Sequence, residues 1–284
     1  MNRILRAWLF GSRPYIALHY LFPTALGIFI GMHKFDRPLY LLPSVFLFLA
    51  IFFSYQASIV INDINDIKSD EFSKRKTPLN SGEIKVEEYR NWGIVFVAIA
   101  LALGLLIGYR MFLIILLGNV LHFLYSSPPF RLKRFYPISI LLISIGALLT
   151  AIAGYALYEP AKPFLSFPLK STLFIVIPLF FGLNFRDLAD YEGDRKTEVQ
   201  TLFTIFGLNK GRIINAFLIL FSYLIVPIIL GYPLLFIATL PLGICSMLFC
   251  LKKPFKEKSI FYCYYILIII LTIIFNLNPE IVIE

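Results

Sequence analysis

Two segments of this 284-residue chain carry the same pattern of aspartates. One reads Asn62-Asp63-Ile64-Asn65-Asp66-Ile67-Lys68-Ser69-Asp70, the other Arg186-Asp187-Leu188-Ala189-Asp190-Tyr191-Glu192-Gly193-Asp194. Both place Asp at i, i+3 and i+7. On an α-helix, at about 100° per residue, the later two aspartates of each set fall roughly 60° and 20° from the first, with Asn62 or Arg186 about 100° round on the same side. Carboxylates stacked this way repel by about a few tenths of a kcal/mol per pair, and a cation relieves the repulsion. Hard oxygen ligands without His or Cys suit Mg²⁺, which keeps several waters and bridges to phosphate. One such run is most often a solvated helix end; two of identical spacing point to a metal-dependent task. Glu83, Glu87 and Glu88 read as the ordinary charged lead-in to a helix.

A diphosphate bridged to metal carries more negative charge than the metal neutralises, so it needs direct cationic contacts. Three clusters offer them. Ser73-Lys74-Arg75-Lys76-Thr77-Pro78-Leu79-Asn80-Ser81-Gly82 is cationic and closed by a Pro/Gly turn. Tyr125-Ser126-Ser127-Pro128-Pro129-Phe130-Arg131-Leu132-Lys133-Arg134 is the next, and Arg195-Lys196 follows the second aspartate set. Lys76 and Lys133 stand out because prolines stiffen their surroundings. His19 and His122 lack metal-ligand spacing and read as hydrogen-bonded helix residues. Arg13, ahead of Pro14, reads as an interfacial anchor. Cys245, Cys250 and Cys263 lie in late apolar runs and read as small apolar side chains.

The elements that position these residues are membrane spans. Hydrophobic residues make up 59% of the chain and charged ones 15%, against about 25% charged in ordinary soluble domains. Apolar runs predict nine helices: Tyr15–Met32, Leu39–Ile61, Trp92–Gly108, Met111–Leu124, Ile138–Tyr158, Ser171–Phe185, Ile213–Leu230, Tyr232–Cys250 and Ile260–Leu277. With nine spans, 21 of the 26 Lys and Arg fall on the side of the N-terminus. That asymmetry puts the N-terminus in the cytoplasm and the C-terminus outside. No small-residue cleavage site follows the first apolar run, so no cleavable signal is expected. The +9 net charge is therefore a topology signal, and nucleic acid is not an expected partner. Topology needs no acidic residues, yet 12 of the 17 Asp and Glu lie in the two loops that hold the aspartate sets. Both sets continue cytoplasmic helix ends, so their carboxylates lie where membrane meets cytosol. A cation-coupled transporter would carry its carboxylates nearer the bilayer midplane.

These residues resemble the UbiA superfamily of intramembrane prenyltransferases (4-hydroxybenzoate polyprenyltransferase-like). The resemblance rests on Asn62, Asp63, Asp66 and Asp70 and on Pro78, Leu79 and Gly82. It continues with Tyr125, Ser126, Leu132 and Lys133, and then with Asp187, Asp190, Gly193, Asp194, Arg195, Lys196, Thr201, Leu202 and Gly207. Thr77, preceded by Lys76, stands where relatives commonly have Arg before the Pro-Leu pair. The resemblance implies an all-α bundle of nine transmembrane helices around a central cavity open to the cytoplasm, built as one domain over residues 1–284. It implies that Asn62, Asp66, Asp70, Asp190 and Asp194 hold Mg²⁺. Asn62, Arg75, Lys76, Tyr125, Ser126, Lys133, Arg186, Arg195 and Lys196 would bind a prenyl diphosphate. Asp63, Asp187 and Lys133 would carry the chemistry: Lys133 at the leaving diphosphate, and Asp63 or Asp187 at the proton the acceptor loses. An electron-rich aromatic acceptor is expected; a non-aromatic acceptor, or phosphoribosyl transfer to a polyprenyl phosphate, is the alternative within the superfamily. The site must be dry, because water would quench an allylic cation.

Overall fold

Lipid offers no hydrogen bonds, so a chain crossing it must pair its backbone polar groups internally, and a helix does so within one segment. The computed structural model describes residues 14–73 and 76–283, and among them every regular element is helical. In chain order these are α1 (Pro14–Lys34), α2 (Leu41–Asn65), α3 (Ile67–Phe72), α4 (Val86–Ile107), α5 (Tyr109–Ser126) and α6 (Ile138–Tyr155). Then come α7 (Pro163–Ser166), α8 (Leu169–Gly182), α9 (Tyr191–Lys196), α10 (Leu202–Phe206), α11 (Leu208–Leu230), α12 (Phe236–Leu251), α13 (Glu257–Leu277) and α14 (Glu280–Ile283). Short 3₁₀ turns cover Leu132–Arg134, Leu183–Leu188 and Pro233–Leu235.

Among the described residues eight helices are long and apolar enough to cross a membrane, and the chain is an integral membrane protein. Nine were expected. The remaining one corresponds to α1, whose 21 residues extend about 31 Å, close to the hydrocarbon thickness. The run expected to be marginal, Met111–Leu124, is longer in the structure: α5 has 18 residues.

The chain divides into two compact units. Among the described residues the first comprises 14–73, 76–133 and 146–166, and α2 is its axis. Leu47, Ala50, Ile51, Tyr55 and Ile59 of α2 are buried with Ala17 and Tyr20 of α1, Ala100 of α4, Met111, Ile114 and Ile115 of α5, and Leu149 and Ala153 of α6. Helices α1 and α6 meet through glycines, as small residues allow in membranes. A Cβ at Gly27 would lie 1.8 Å from the Ala151 carbonyl oxygen, and one at Gly154 would lie 2.3 Å from that of Thr24. A second cluster joins Ala57 and Val60 of α2 to Tyr89 and Phe96 of α4, and Ile84 and Leu79 of the intervening loop pack on it. That cluster seats the loop following the first aspartate set.

The second unit comprises residues 134–145 and 167–284. Helix α11 packs along both α8 and α12, and α12 along α13. Leu188, Leu202 and Phe203 are buried with Tyr136, Tyr191, Leu208 and Phe255 against them. Those contacts fold the chain after the second aspartate set back onto the start of α11. The Thr201 and Thr204 capping box starts α10.

Candidate active site

The first aspartate set straddles a junction between two helices. Asn62 and Asp63 lie on the last turn of α2, and Asp66 joins α2 to α3 with φ −108° and ψ 8°. Asp70 lies in α3. Backbone bonding carries through the junction, from Asp66 N–H to Asn62 O (2.9 Å) and from Asp70 N–H to Asp66 O (2.8 Å). The backbone therefore stays hydrogen-bonded through the junction, with α2 and α3 meeting at Asp66.

The loop after α5 folds over this junction. Lys133 donates to Asn62 Oδ1 at 2.8 Å and to Asp66 Oδ2 in a shorter contact. Arg131 Nη2 donates to Asp66 Oδ1 at 2.9 Å and to the Asn65 carbonyl at 3.1 Å. Ser126 Oγ donates to Asn62 Oδ1 at 3.2 Å, and Asn65 Nδ2 reaches Ser127 Oγ at 3.4 Å. The Lys133 side chain is 10% exposed and that of Asp66 14%. Burial, which disfavours its charge, pushes the Lys133 pKa below the ordinary lysine value, and the facing Asp66 carboxylate opposes that shift.

One ammonium is thus held by an amide oxygen and a carboxylate oxygen that converge on it. Two hard oxygens aimed at one point of positive charge are also part of a Mg²⁺ ligand set, which takes one or two carboxylates and completes itself with water and phosphate. Among the described residues of either unit, no three His, Cys, Asp or Glu side chains form a metal cage.

Other expected residues are placed differently. Asp63 is 1% exposed and accepts a hydrogen bond from Tyr89 Oη of α4 at 3.2 Å. Asp70 is buried and Tyr125 half-buried on the last turn of α5. Lys76 is exposed, whereas Thr77 is buried and accepts a bond from Asn80 N–H at 3.2 Å, a turn-closing role. Arg75, together with Lys74 and Arg13, lies outside the described residues.

In the second unit the expected α-helical stripe is corrected. Helix α8 stops at Gly182, and Leu183–Leu188 is a 3₁₀ turn. Asn184 Nδ2 takes the carbonyls of Phe180 (3.0 Å) and Phe181 (3.1 Å), a side-chain competition that favours leaving the α-helix. At three residues per turn, positions 184 and 187 eclipse. This brings Asn184 onto the Asp187 face, and its buried Oδ1 has no hydrogen-bond partner among the described residues. Asp190 then joins the turn to α9 with φ −98° and ψ 4°, nearly the backbone of Asp66. Asp194 N–H donates to Asp190 O at 2.9 Å, as Asp70 does to Asp66. The two sets therefore share a junction geometry as well as a spacing.

Burial and the neighbouring Asp187 push the Tyr136 pKa above its ordinary value. Arg186 is half-buried, whereas Arg195 and Lys196 are exposed. Arg195 lies 3.8 Å from Glu192 and over the Tyr191 ring.

Residues 20–275 match the model of the UbiA prenyltransferase family. The chain belongs to this family. Among relatives, it is 26% identical over 232 residues to the digeranylgeranylglyceryl phosphate synthase of Sulfurisphaera tokodaii, covering 78% of this chain and 80% of that one. It is 30% identical over 152 residues to the homogentisate phytyltransferase of Synechocystis, covering 50% of this chain and 48% of that protein. The chain thus spans about half the length of the homogentisate phytyltransferases it matches. The fold is that of a UbiA homolog from Archaeoglobus fulgidus bound to GPP and Mg²⁺, with a TM-score of 0.70 at 22% identity over 93% of this chain and 96% of that one.

Sequence reasoning included Arg131 only as a member of its cationic loop, and missed Asn184 and Tyr89. Arg131 stands two residues from Lys133 in the same cationic loop, a usable signal. The turn that makes Asn184 relevant has no counterpart in an α-helical projection.

Proposed function

We propose that the 284 residues form one membrane-embedded catalytic domain that transfers a prenyl group from an allylic prenyl diphosphate to an acceptor, with Mg²⁺ as cofactor and release of diphosphate. The observation that carries this reading is the convergence of Asn62 Oδ1 and Asp66 Oδ2 on the Lys133 ammonium, in a chain of the UbiA prenyltransferase family. Mg²⁺, when bound, supplies Lewis-acid neutralisation of the diphosphate oxygens. Asn62, Asp66 and Asp70 at the first set, and Asp190 and Asp194 at the second, are the residues that would hold such ions. Lys133 leaves the carboxylate and donates to the departing diphosphate, so that the C–O bond ionises toward an allylic cation. Ser126 keeps Asn62 oriented during that exchange, and Tyr125, Lys76, Arg75, Arg186, Arg195 and Lys196 complete the diphosphate contacts. The acceptor attacks the cation and then loses a proton. Asp187 is the candidate to take it, whereas Asp63, held by Tyr89, positions the last turn of α2. Water is kept out by the surrounding apolar helices.

The cytoplasmic side of the cell membrane holds the N-terminus and both aspartate sets, in line with the Lys and Arg distribution. Two acceptor classes follow from the relatives' names: homogentisate, an aromatic, and a glycerophosphate. The similarity covering four-fifths of both chains supports the second class. The test uses detergent-purified protein, geranylgeranyl diphosphate, Mg²⁺ and each acceptor in turn, with diphosphate release and prenylated product as readouts. EDTA, Asp66→Ala and Asp190→Ala each abolish turnover; turnover surviving in the alanine variants overturns the metal assignment.

A further inference from the structure

Arg131 enters the reading above only as a member of its cationic loop, yet three observations single it out. Its Nη2 holds Asp66 Oδ1 and the Asn65 carbonyl. Its Nε is enclosed and has no hydrogen-bond partner among the described residues. Its backbone has φ +40°, with the N–H bonded to Ser127 O at 2.8 Å. A bulky residue in the left-handed region persists only where surrounding structure over-determines it, so the Ser127–Arg131 turn presents this guanidinium deliberately to the junction.

A guanidinium cannot lose its charge. With Arg131 and Lys133 both on Asp66, the carboxylate is neutralised, and a divalent cation arriving alone meets two positive charges. Diphosphate changes the balance. Nε–H and the Nη2–H now on Asp66 are neighbouring donors of one planar fork, which matches phosphate oxygens in a bidentate pair. We infer that Arg131 is an exchange residue that couples the loading of divalent metal to that of diphosphate. It occupies Asp66 while the metal is absent and passes to a phosphate oxygen when the two arrive together. This rests on Asp66 being a metal ligand, as proposed above.

The experiment titrates Mn²⁺, read as free ion by electron paramagnetic resonance, into the full-length purified protein with and without geranyl diphosphate. Wild type binds Mn²⁺ weakly alone and at least about tenfold more tightly with the diphosphate. Arg131→Gln binds Mn²⁺ alone about tenfold more tightly than wild type, the effect of losing one charged competitor. Its coupling factor falls correspondingly, and by reciprocity Mn²⁺ promotes diphosphate binding less. Arg131→Lys keeps the charge but not the fork, so Mn²⁺ alone stays weak while the diphosphate enhancement shrinks. In an Asp66→Asn background the Arg131→Gln effect disappears.

Wild-type coupling in Arg131→Gln overturns the inference and leaves Arg131 a structural staple. If Arg131→Gln does not fold, Arg131→Lys decides in its place: an undiminished diphosphate enhancement overturns the inference. A different failure marks the underlying reading. If wild type and Asp66→Asn bind Mn²⁺ alike, with no response to diphosphate, Asp66 is not a metal ligand.

Discussion

Replacing Lys133 by Met keeps most of the side chain's apolar stem and removes its charge, which separates two roles of this residue by size. Without metal, Lys133 makes one charge-assisted contact to Asp66 and one bond to Asn62 Oδ1 at 2.8 Å. A hydrogen bond to a charged group contributes about 1.5–3 kcal/mol and a neutral one about 1. Asp66 retains Arg131 at 2.9 Å, so the metal-free protein loses about 2 kcal/mol rather than the full sum. During turnover the loss falls on the leaving diphosphate instead. A donor aimed at charge that develops in the transition state is worth about 2.7–4 kcal/mol, a drop of about 10²–10³-fold in kcat. The assay is steady-state diphosphate release at saturating prenyl diphosphate and acceptor, beside a denaturation series in EDTA. A stability loss near 2 kcal/mol with kcat within about threefold of wild type refutes the leaving-group role and leaves Lys133 a structural ion-pair partner.

Lys133 also sets a pH dependence. Burial lowers its pKa, so activity that needs the ammonium declines on the alkaline side earlier than an ordinary lysine would dictate; Lys133→Arg, which does not deprotonate, moves that limb of the pH–rate profile upward. Tyr89→Phe withdraws a donor from the buried Asp63 carboxylate. It costs about 1–3 kcal/mol in a denaturation series with kcat within a few-fold of wild type, whereas a catalytic Asp63 would give a large kcat loss instead. Gly27→Ala forces a methyl into the Ala151 carbonyl oxygen; overpacking of about 1–3 kcal/mol or more lowers the thermal midpoint in detergent, and an unchanged midpoint contradicts the close α1–α6 approach.

Much of the protein is legible in its sequence. Long apolar runs that cross lipid as single segments do so as helices, so the helical membrane architecture follows from composition and spacing. The recurrence of Asp at i, i+3 and i+7 marks both candidate segments, and the Tyr125–Arg134 loop stands out for its cations. The ends of those helices are less legible. A constant helical projection of about 100° per residue places Asp63 with Asp66 and Asp70, but the fold turns Asp63 to Tyr89, because residues 26 positions apart meet only once α2 and α4 pack. The same projection misses the 3₁₀ turn at Leu183–Leu188, where the side-chain amide of Asn184 competes for backbone carbonyls.

Sequence by itself determined which segments are long and apolar enough to span a membrane, because hydropathy acts through solvent and needs no partner. Only the tertiary structure decided which oxygens share a cation. Asn62 and Asp66 meet Lys133 across 71 and 67 residues of chain, and Arg131 reaches Asp66 from a backbone conformation that no spacing rule announces. Contacts of that kind depend on where a helix ends and a loop folds back, and that geometry exists only in the assembled chain.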